Sequence, residues 1–526
     1  MANTIDRNAI PGTVRLVHLD KSASDSIIPV PRPSNDPEDP LNWSTPRKWR
    51  TMALVHFYTF VVGWSSAGVY SILADVSSAT GLSVANLNSG TGTMLLFFGW
   101  GCLIWQPFGL TFGRRGSYIL SLALTTAISV WTAYSTSYAT WVVQRILLGL
   151  VGAPIECLCE VSITDLFFTH QRGRQLGIYL LMLSGGAYLA PLCNGFINQS
   201  MGWQWVMYWC AILCAVACVL CFFFMEETMY YRQSSFEAAV DYADPLVVDT
   251  SSDNKEMTTE TTLQPISPRR SYIRSLALYR IIPEKPNEFF RIIIRPFIVS
   301  YFLPLVIWVG VFHGVAVCAF SSMNATASVV FTSAPYNFSS SQVGLTYISP
   351  LIGCCIGAIW GGEINDRICI WLARRNHGFR ESEFRLYAAA ALCIIPPGGM
   401  FVWGVGVYNQ VHWFGLVFSM SMLGFAMSTA GAIVLSYMID SYKELAGETL
   451  MAVNIMRCTM AFGYGYAVTP WIENQGYKNS FVEMGVISIV VFASFAVVLR
   501  IGKGERKRTT AKYWQLVETG IKELQE

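Results

Sequence analysis

Between Trp141 and Asp165 lies an apolar stretch of membrane-spanning length that carries four ionisable side chains: Arg145, Glu156, Glu160 and, at its end, Asp165. A charge near the centre of a bilayer costs roughly 2.5–3.5 kcal/mol on insertion scales, so such residues turn toward water or toward other helices. At about 100° per residue, Arg145, Gly149, Gly152 and Glu156 fall within roughly 60° of one another on a helix, with Glu160 slightly off that line. This stripe is the first candidate for a functional surface, and the chemistry it offers is proton exchange by a carboxylate. Desolvation favours the neutral acid and Arg145 favours the ionised one; the stripe leaves open which prevails, and a salt bridge that only fixes helix packing remains the alternative. Asp165, with His170, Arg172, Gly173 and Arg174 after it, falls at the mouth of the span, where a gate or loop anchor is expected.

Further along the chain, intramembrane charge is sparse. His313 and Arg457 stand within apolar stretches, with Asn454 one turn before Arg457 and with Asp440 and Glu448 near span ends. His313 is a further candidate proton carrier or else a hydrogen-bonded packing residue. Asn454, Arg457 and the aromatic residues Trp308, Tyr347, Trp403 and Tyr437 are candidates to line a substrate cavity. Cys210, Cys214, Cys218 and Cys221 share a helix face without a CxxC framework, which reads as packing and not as a metal site or disulfide. The six histidines, at 18, 56, 170, 313, 377 and 412, form no HExxH pair, and no phosphate-binding P-loop is present; neither an enzyme nor a bound metal or cofactor is expected.

The elements that must position these groups are membrane spans. Of 526 residues 53% are hydrophobic and 13% charged, and the mean hydropathy is +0.41, too apolar for an ordinary soluble enzyme. The net charge of +2 offers no footprint for nucleic acid. Twelve spans are read at 51–73, 88–110, 117–137, 141–164, 176–196, 204–225, 296–321, 342–362, 386–408, 412–438, 447–470 and 481–501. Arg114, Arg115, Arg172, Arg174, Arg367, Arg374, Arg375, Arg380 and Arg385 then all fall in loops on one side, whereas loops on the other carry almost only Lys478. The positive-inside rule assigns the arginine side, and both termini, to the cytosol.

This divides the chain into an N-terminal tail (1–50), a six-helix half (51–225), a polar Ser/Thr/Glu-rich linker (226–295), a second six-helix half (296–501) and a C-terminal tail (502–526). The fold class is all-α polytopic. The first fifty residues lack the apolar core of a signal peptide, and Trp43 followed by Arg47, Lys48 and Arg50 marks the entry to the first span. Ser267-Pro268-Arg269-Arg270 in the linker is a short phosphorylation-like match. Asn198, Asn324 and Asn337 begin glycosylation patterns, of which Asn337 is expected to be the most accessible.

The motifs between spans resemble those of the major facilitator superfamily. Gln106-Pro107-Phe108-Gly109-Leu110-Thr111-Phe112-Gly113-Arg114-Arg115 is similar to that family's loop between spans two and three, with Leu110 where the family has an acid. Gly362-Glu363-Ile364-Asn365-Asp366-Arg367 repeats the pattern after the eighth span with its acid, Asp366, intact, as a duplicated architecture requires. In the fifth span Gly177, Gly186, Ala190, Pro191, Asn194 and Gly195 match the spacing of the antiporter signature, with Ala190 and Asn194 replacing glycines. Small residues there permit close helix approach, and Pro191 removes a backbone donor so that the span can bend. Arg145 with Gly149, Gly152, Ala153 and Pro154 resembles the fourth-span motif, whose arginine the family associates with proton coupling. The Pro40-Leu41-Asn42-Trp43-Ser44 entry and the run Gly447-Glu448, Arg457 and Thr469-Pro470-Trp471 resemble the twelve-span fungal drug:proton antiporter branch, near its histidinol and polyamine permeases and its secondary-metabolite exporters.

The resemblance implies a secondary transporter in the plasma or vacuolar membrane. It would be a proton-coupled monomer with a lipid bilayer, protons and a small organic, cationic or amphipathic compound as its partners. An uptake permease for polyamine-like cations is the alternative, and a transporter-like nutrient sensor a more distant one. The implied mechanism rocks two halves about a midplane cavity in which a carboxylate exchanges a proton. Epitope tags at either terminus and beside Ser267 are expected to be reached only from the cytosol; cleavage of the linker by protease added outside intact cells overturns the topology.

Overall fold

The computed structural model describes residues 11–15, 36, 39–230, 276–279, 289–376 and 379–525. Ser267 and its neighbours, His18 and His377 lie outside this set, as do the side chains of His170 and Arg172. After a short strand β1 (Thr13–Arg15), the first half comprises α1 (Thr45–Ser66), α2 (Leu73–Thr80), α3 (Val84–Phe112), α4 (Arg114–Thr132), α5 (Tyr138–Gly152), α6 (Pro154–Leu166), α7 (Thr169–Met201) and α8 (Trp203–Phe224). The second half comprises α9 (Phe289–Phe302), α10 (Pro304–Thr332), α11 (Ser340–Thr346), α12 (Ile348–Ile359), α13 (Asn365–Arg375), strand β2 (Phe379–Glu381), α14 (Ile395–Tyr408), α15 (Trp413–Ser441), α16 (Ala446–Ala493) and α17 (Phe495–Gln525).

Nine helical runs among the described residues are long and apolar enough to cross a membrane, and the last of them, Lys443–Thr519, holds two passages parted by non-helical backbone at Gly476, φ 76°. With α1 and α4 these make the twelve spans. Two large apolar clusters lie mainly one in each half, the first around Tyr58, Met94, Tyr118 and Leu158, the second around Phe312, Trp403, Leu423 and Tyr437; Met451 and Ile455 of the second half join the former and Tyr188 of the first half joins the latter.

Several spans depart from single helices for identifiable reasons. The fourth breaks between α5 and α6, because Pro154 has no N–H to continue the ladder and begins the new helix at its first turn. The first unwinds after Ser66, and the amide of Asn194 donates to the buried Gly68 carbonyl at 3.0 Å, which gives Asn194 a task that a glycine could not perform. The loop expected from Gly362 to Arg367 is helical, a π turn at Trp360–Ile364 running into α13. Gly113 does make the sharp turn expected of it, at φ 120°.

The glycines of the fifth span divide by what they touch. A Cβ on Gly186 would strike the Phe60 carbonyl of α1, within the first half. A Cβ on Gly195 would strike the Ser340 carbonyl, and Gly344 in turn meets the carbonyls of Pro191 and Leu192, so this end of α7 seals against α11 of the other half. Gly177, expected to permit close packing, has nothing within 4 Å, and neither does Gly362; both face open space.

The tails are more structured than their polarity suggests. β1 pairs antiparallel with β2, Val14 opposite Arg380, so the start of the chain docks on the second half. Ser382 donates to the Gly12 carbonyl at 2.9 Å and Arg506 to that of Pro11, with Gly12 at φ 85°. The expected tail 502–526 continues the last span as α17, held by Arg506 on Glu383 and by Tyr513 on Glu444.

Gly186→Leu is expected to force α7 off α1 at a cost of about 1–3 kcal/mol or more and to abolish transport while protein still reaches the membrane. Wild-type transport by that variant would show that the contact is not needed.

Candidate functional site

Between the halves lies a cavity of about 90 Å³. From the first half it is lined by Glu156 and Glu160 of α6 and by Tyr179, Leu183 and Ser184 of α7; from the second by His313 of α10, Met427 and Ser428 of α15, and Asn454 and Arg457 of α16. Its central contact crosses the halves. Arg457 Nη2 donates to Glu156 Oε2 at 2.5 Å, its Nε donates to Asn454 Oδ1 at 2.8 Å, and Asn454 in turn reaches Cys102 Sγ at 3.3 Å. The two charged side chains keep only 12% and 18% of their exposure, so the attraction acts through a medium far less polarisable than water. Glu160, one turn farther along α6, makes no ion pair or hydrogen bond among the described residues, and His313 Nδ1 is buried without a partner.

On the side of α2 and α11 the cavity is shut. Gly92 lies against Phe462 and Gly465, Asn88 donates to Thr469 Oγ1 at 3.2 Å, and Ser328 donates to the Ser71 carbonyl at 3.2 Å. At the opposite end, which carries the arginine loops, Gly177 and the exposed Thr164 border open space.

Five of the residues singled out in the sequence thus come together: Glu156, Glu160, His313, Asn454 and Arg457. Arg145 does not join them. It lies above the break at Ala153–Pro154, fully buried, with its guanidinium 4.6 Å from the Trp141 ring and Nη1 3.6 Å from Met94 Sδ, and among the described residues it pairs with no carboxylate. The single stripe expected from ideal helical periodicity is interrupted by that break, and Glu156 takes its cation from α16 instead. Asp165 is an anchor, 3.1 Å from Arg114 Nε. Tyr347 and Tyr437, expected at the cavity, are fully buried and do not line it: Tyr437 packs against Trp308 in the second half's core, and Tyr347 sits at the turn between α11 and α12 in the cluster that also takes in Tyr188 of α7.

The loop motifs at the arginine end are charge-compensated in ways the local sequence hides. Leu110 removes the usual acid, yet Glu227 accepts from the backbone N–H groups of Arg114 and Arg115 at 2.9 and 3.0 Å and so caps α4. In the second half Asp366 takes Arg385 at 2.9 Å, Asp440 takes both Arg380 and Arg385, and the exposed Arg367 pairs with Glu363. No local pattern flags Glu227, which lies 112 residues from Arg115. Of the glycosylation candidates Asn337 is exposed, whereas Asn324 is buried within α10 and Asn198 is bonded between helices.

The family model described as Major Facilitator Superfamily matches residues 55–465. The chain belongs to the Major Facilitator Superfamily. Its relatives include an uncharacterized MFS-type transporter of Schizosaccharomyces pombe, 28% identical over 96% of this chain and 94% of that protein. Protein HOL1 of Saccharomyces cerevisiae is 25% identical over the same shares, and the MFS antiporter QDR3 of Candida albicans is 24% identical over 89% of this chain and 79% of that protein. Among solved structures, the xylose transporter XylE of E. coli superposes with a TM-score of 0.56 at 13% identity, over 86% of this chain and 99% of that one, which bears on the fold alone. The chain is therefore a multi-pass membrane transporter of the superfamily, and its relatives include fungal transporters named as antiporters.

With Glu156 and Arg457 bridged, Arg457→Ala is expected to destabilise the detergent-solubilised protein by about 3 kcal/mol, and Glu156→Ala added to it to recover most of that loss. Strictly additive losses in a thermal-unfolding cycle would mean that the two charges do not interact.

Proposed function

We propose that this superfamily member exchanges a small organic cation or cationic amphipath for protons, with Glu160 as the exchanging carboxylate. The observation that carries the reading is the charge balance of the cavity: two carboxylates face one guanidinium, and the guanidinium is taken by Glu156. Glu160 is left as one uncompensated negative charge. Passing the closed, dry stage of a transport cycle with that charge exposed to a low dielectric is costly, so the carrier crosses with a proton on Glu160 or with a cation beside it, and not with neither. Alternation between those two partners is antiport.

The remaining wall supports the same substrate class. Leu180, Leu183, Met427 and Leu435 supply apolar contact, while Ser184, Ser428 and Tyr179 supply a few oriented polar groups. The names efflux pump and antiporter borne by relatives favour outward movement of the substrate. In this reading the arginine-rich end faces the cytosol, with both tails and the linker on that side, in keeping with the positive-inside rule. Glu156 and Arg457 serve as the hinge contact, parting and re-forming as substrate competes for either charge. Asp165 and Arg145 hold structure around the site and exchange no proton.

The test is transport in proteoliposomes across an imposed pH gradient, beside substrate binding at fixed pH. Glu160→Gln keeps the shape and some hydrogen bonding but cannot titrate, and is expected to lose gradient-driven accumulation. Glu156→Gln strands Arg457 and is expected to impair binding and transport together. Wild-type gradient dependence in Glu160→Gln moves the coupling to Glu156 or His313; a wild type that ignores the gradient is a facilitator.

A further inference from the structure

At the end of the bundle remote from the arginine loops, Asp75 of α2 presents one carboxylate oxygen to both halves. Asn198 Nδ2 of α7 donates to Asp75 Oδ2 at 2.7 Å, and Ser340 Oγ of α11 donates to the same oxygen at 2.6 Å. Asn198 also donates to Ser340 Oγ at 3.0 Å, which closes the triangle. Asp75 and Asn198 belong to the first half and Ser340 to the second. Among the described residues no cation pairs with Asp75, although it is half-buried in the seam.

A carboxylate placed at a seam without a cation is held only by neutral donors. Hydrogen bonds to an ionised acceptor are stronger than neutral ones, yet water can replace them when the seam opens. The backbone places Ser340 for the contact: its carbonyl rests against Gly195, where any side chain would push α11 away. Where α3, α10 and α16 meet, at the same closed end of the bundle, a void of about 20 Å³ is lined by Asn88, Ser321 and Asn324.

We infer that Asp75 is the latch of this seam, a positioning residue whose carboxylate holds Ser340 of the opposite half and biases the transporter toward the state closed at this end. The inference rests on the reading that the two halves rock about the central cavity. Losing the carboxylate removes two charge-assisted bonds, one of them across the halves, and on the order of a tenfold shift toward the open seam follows.

The experiment places a reporter at Ser321→Cys and labels it with a membrane-impermeant maleimide added from the side that α2 and α11 face, read by peptide-resolved mass spectrometry so that native cysteines do not interfere. Asp75→Ala is expected to accelerate labelling of position 321 by about tenfold, with Ser340→Ala having a similar effect and the double variant no more than either alone. Gly195→Val, which props the seam open by bulk, is the control for rocking itself. If Gly195→Val accelerates labelling and neither Asp75→Ala nor Ser340→Ala does, the latch is refuted while rocking stands. If Gly195→Val and every other variant label as slowly as wild type during turnover, the seam does not open and rocking at this end fails. Should Asp75→Ala not accumulate, Asp75→Asn and Ser340→Ala carry the same comparison, and additive acceleration by the pair refutes the shared contact.

Discussion

The structure depends on the rule that a charge inside an apolar bundle must find its opposite, wherever in the chain that opposite lies. Glu156 and Arg457 are 301 residues apart and belong to different halves, yet each removes the other's desolvation penalty more effectively than water at that depth could. The arrangement makes the central contact between the two halves electrostatic, and therefore breakable by any group that offers either partner a substitute. An apolar contact at the same place would bind the halves without regard to what occupied the cavity. The ion pair makes their association sensitive to occupancy, which is what a carrier requires.

The same rule orders the arginine-rich end. Arg114, Arg380 and Arg385 pair with Asp165, Asp440 and Asp366, and Arg47 and Arg50 gather on Glu226. These networks lie within one half or the other, whereas the seam at the far end is made across both of glycine contacts and of hydrogen bonds, with the Asp75 carboxylate as an acceptor and no cation beside it among the described residues. The halves thus keep ion pairs internal at one end and share hydrogen bonds at the other.

Much of this was legible in the sequence. Twelve apolar stretches, the duplicated loop motif and the spacing of the fifth span lead to the fold, because hydropathy and small-residue periodicity are local properties. The intramembrane charges also mark the cavity, since Glu156, Glu160, His313 and Arg457 have few reasons to be where they are other than to face one another. Pairing was not legible. An ideal helix puts Arg145 in line with Glu156, but Pro154 interrupts that helix, and the partner comes from α16. Tyr437 shows the reverse error: an amphipathic side chain in a span says nothing about which of two inward faces it occupies. Glu227 replaces the acid missing at position 110 from a segment that reads as linker, and Gly177 shares the spacing of its packing neighbours without sharing their contacts.

The docking of β1 on β2 has a consequence for biogenesis. Residues 11–15 leave the ribosome long before β2 and Arg506, so the strand has no partner until the segment after the eighth span has been made, and its Arg506 clasp forms only when the last span has been made. The front of the chain is thereby tied to its back, and that knot is available only to a polypeptide whose second half has been inserted and folded. A truncated or misinserted chain leaves Pro11–Arg15 without the partners that β2, Ser382 and Arg506 supply, an unpaired strand edge that the finished fold covers.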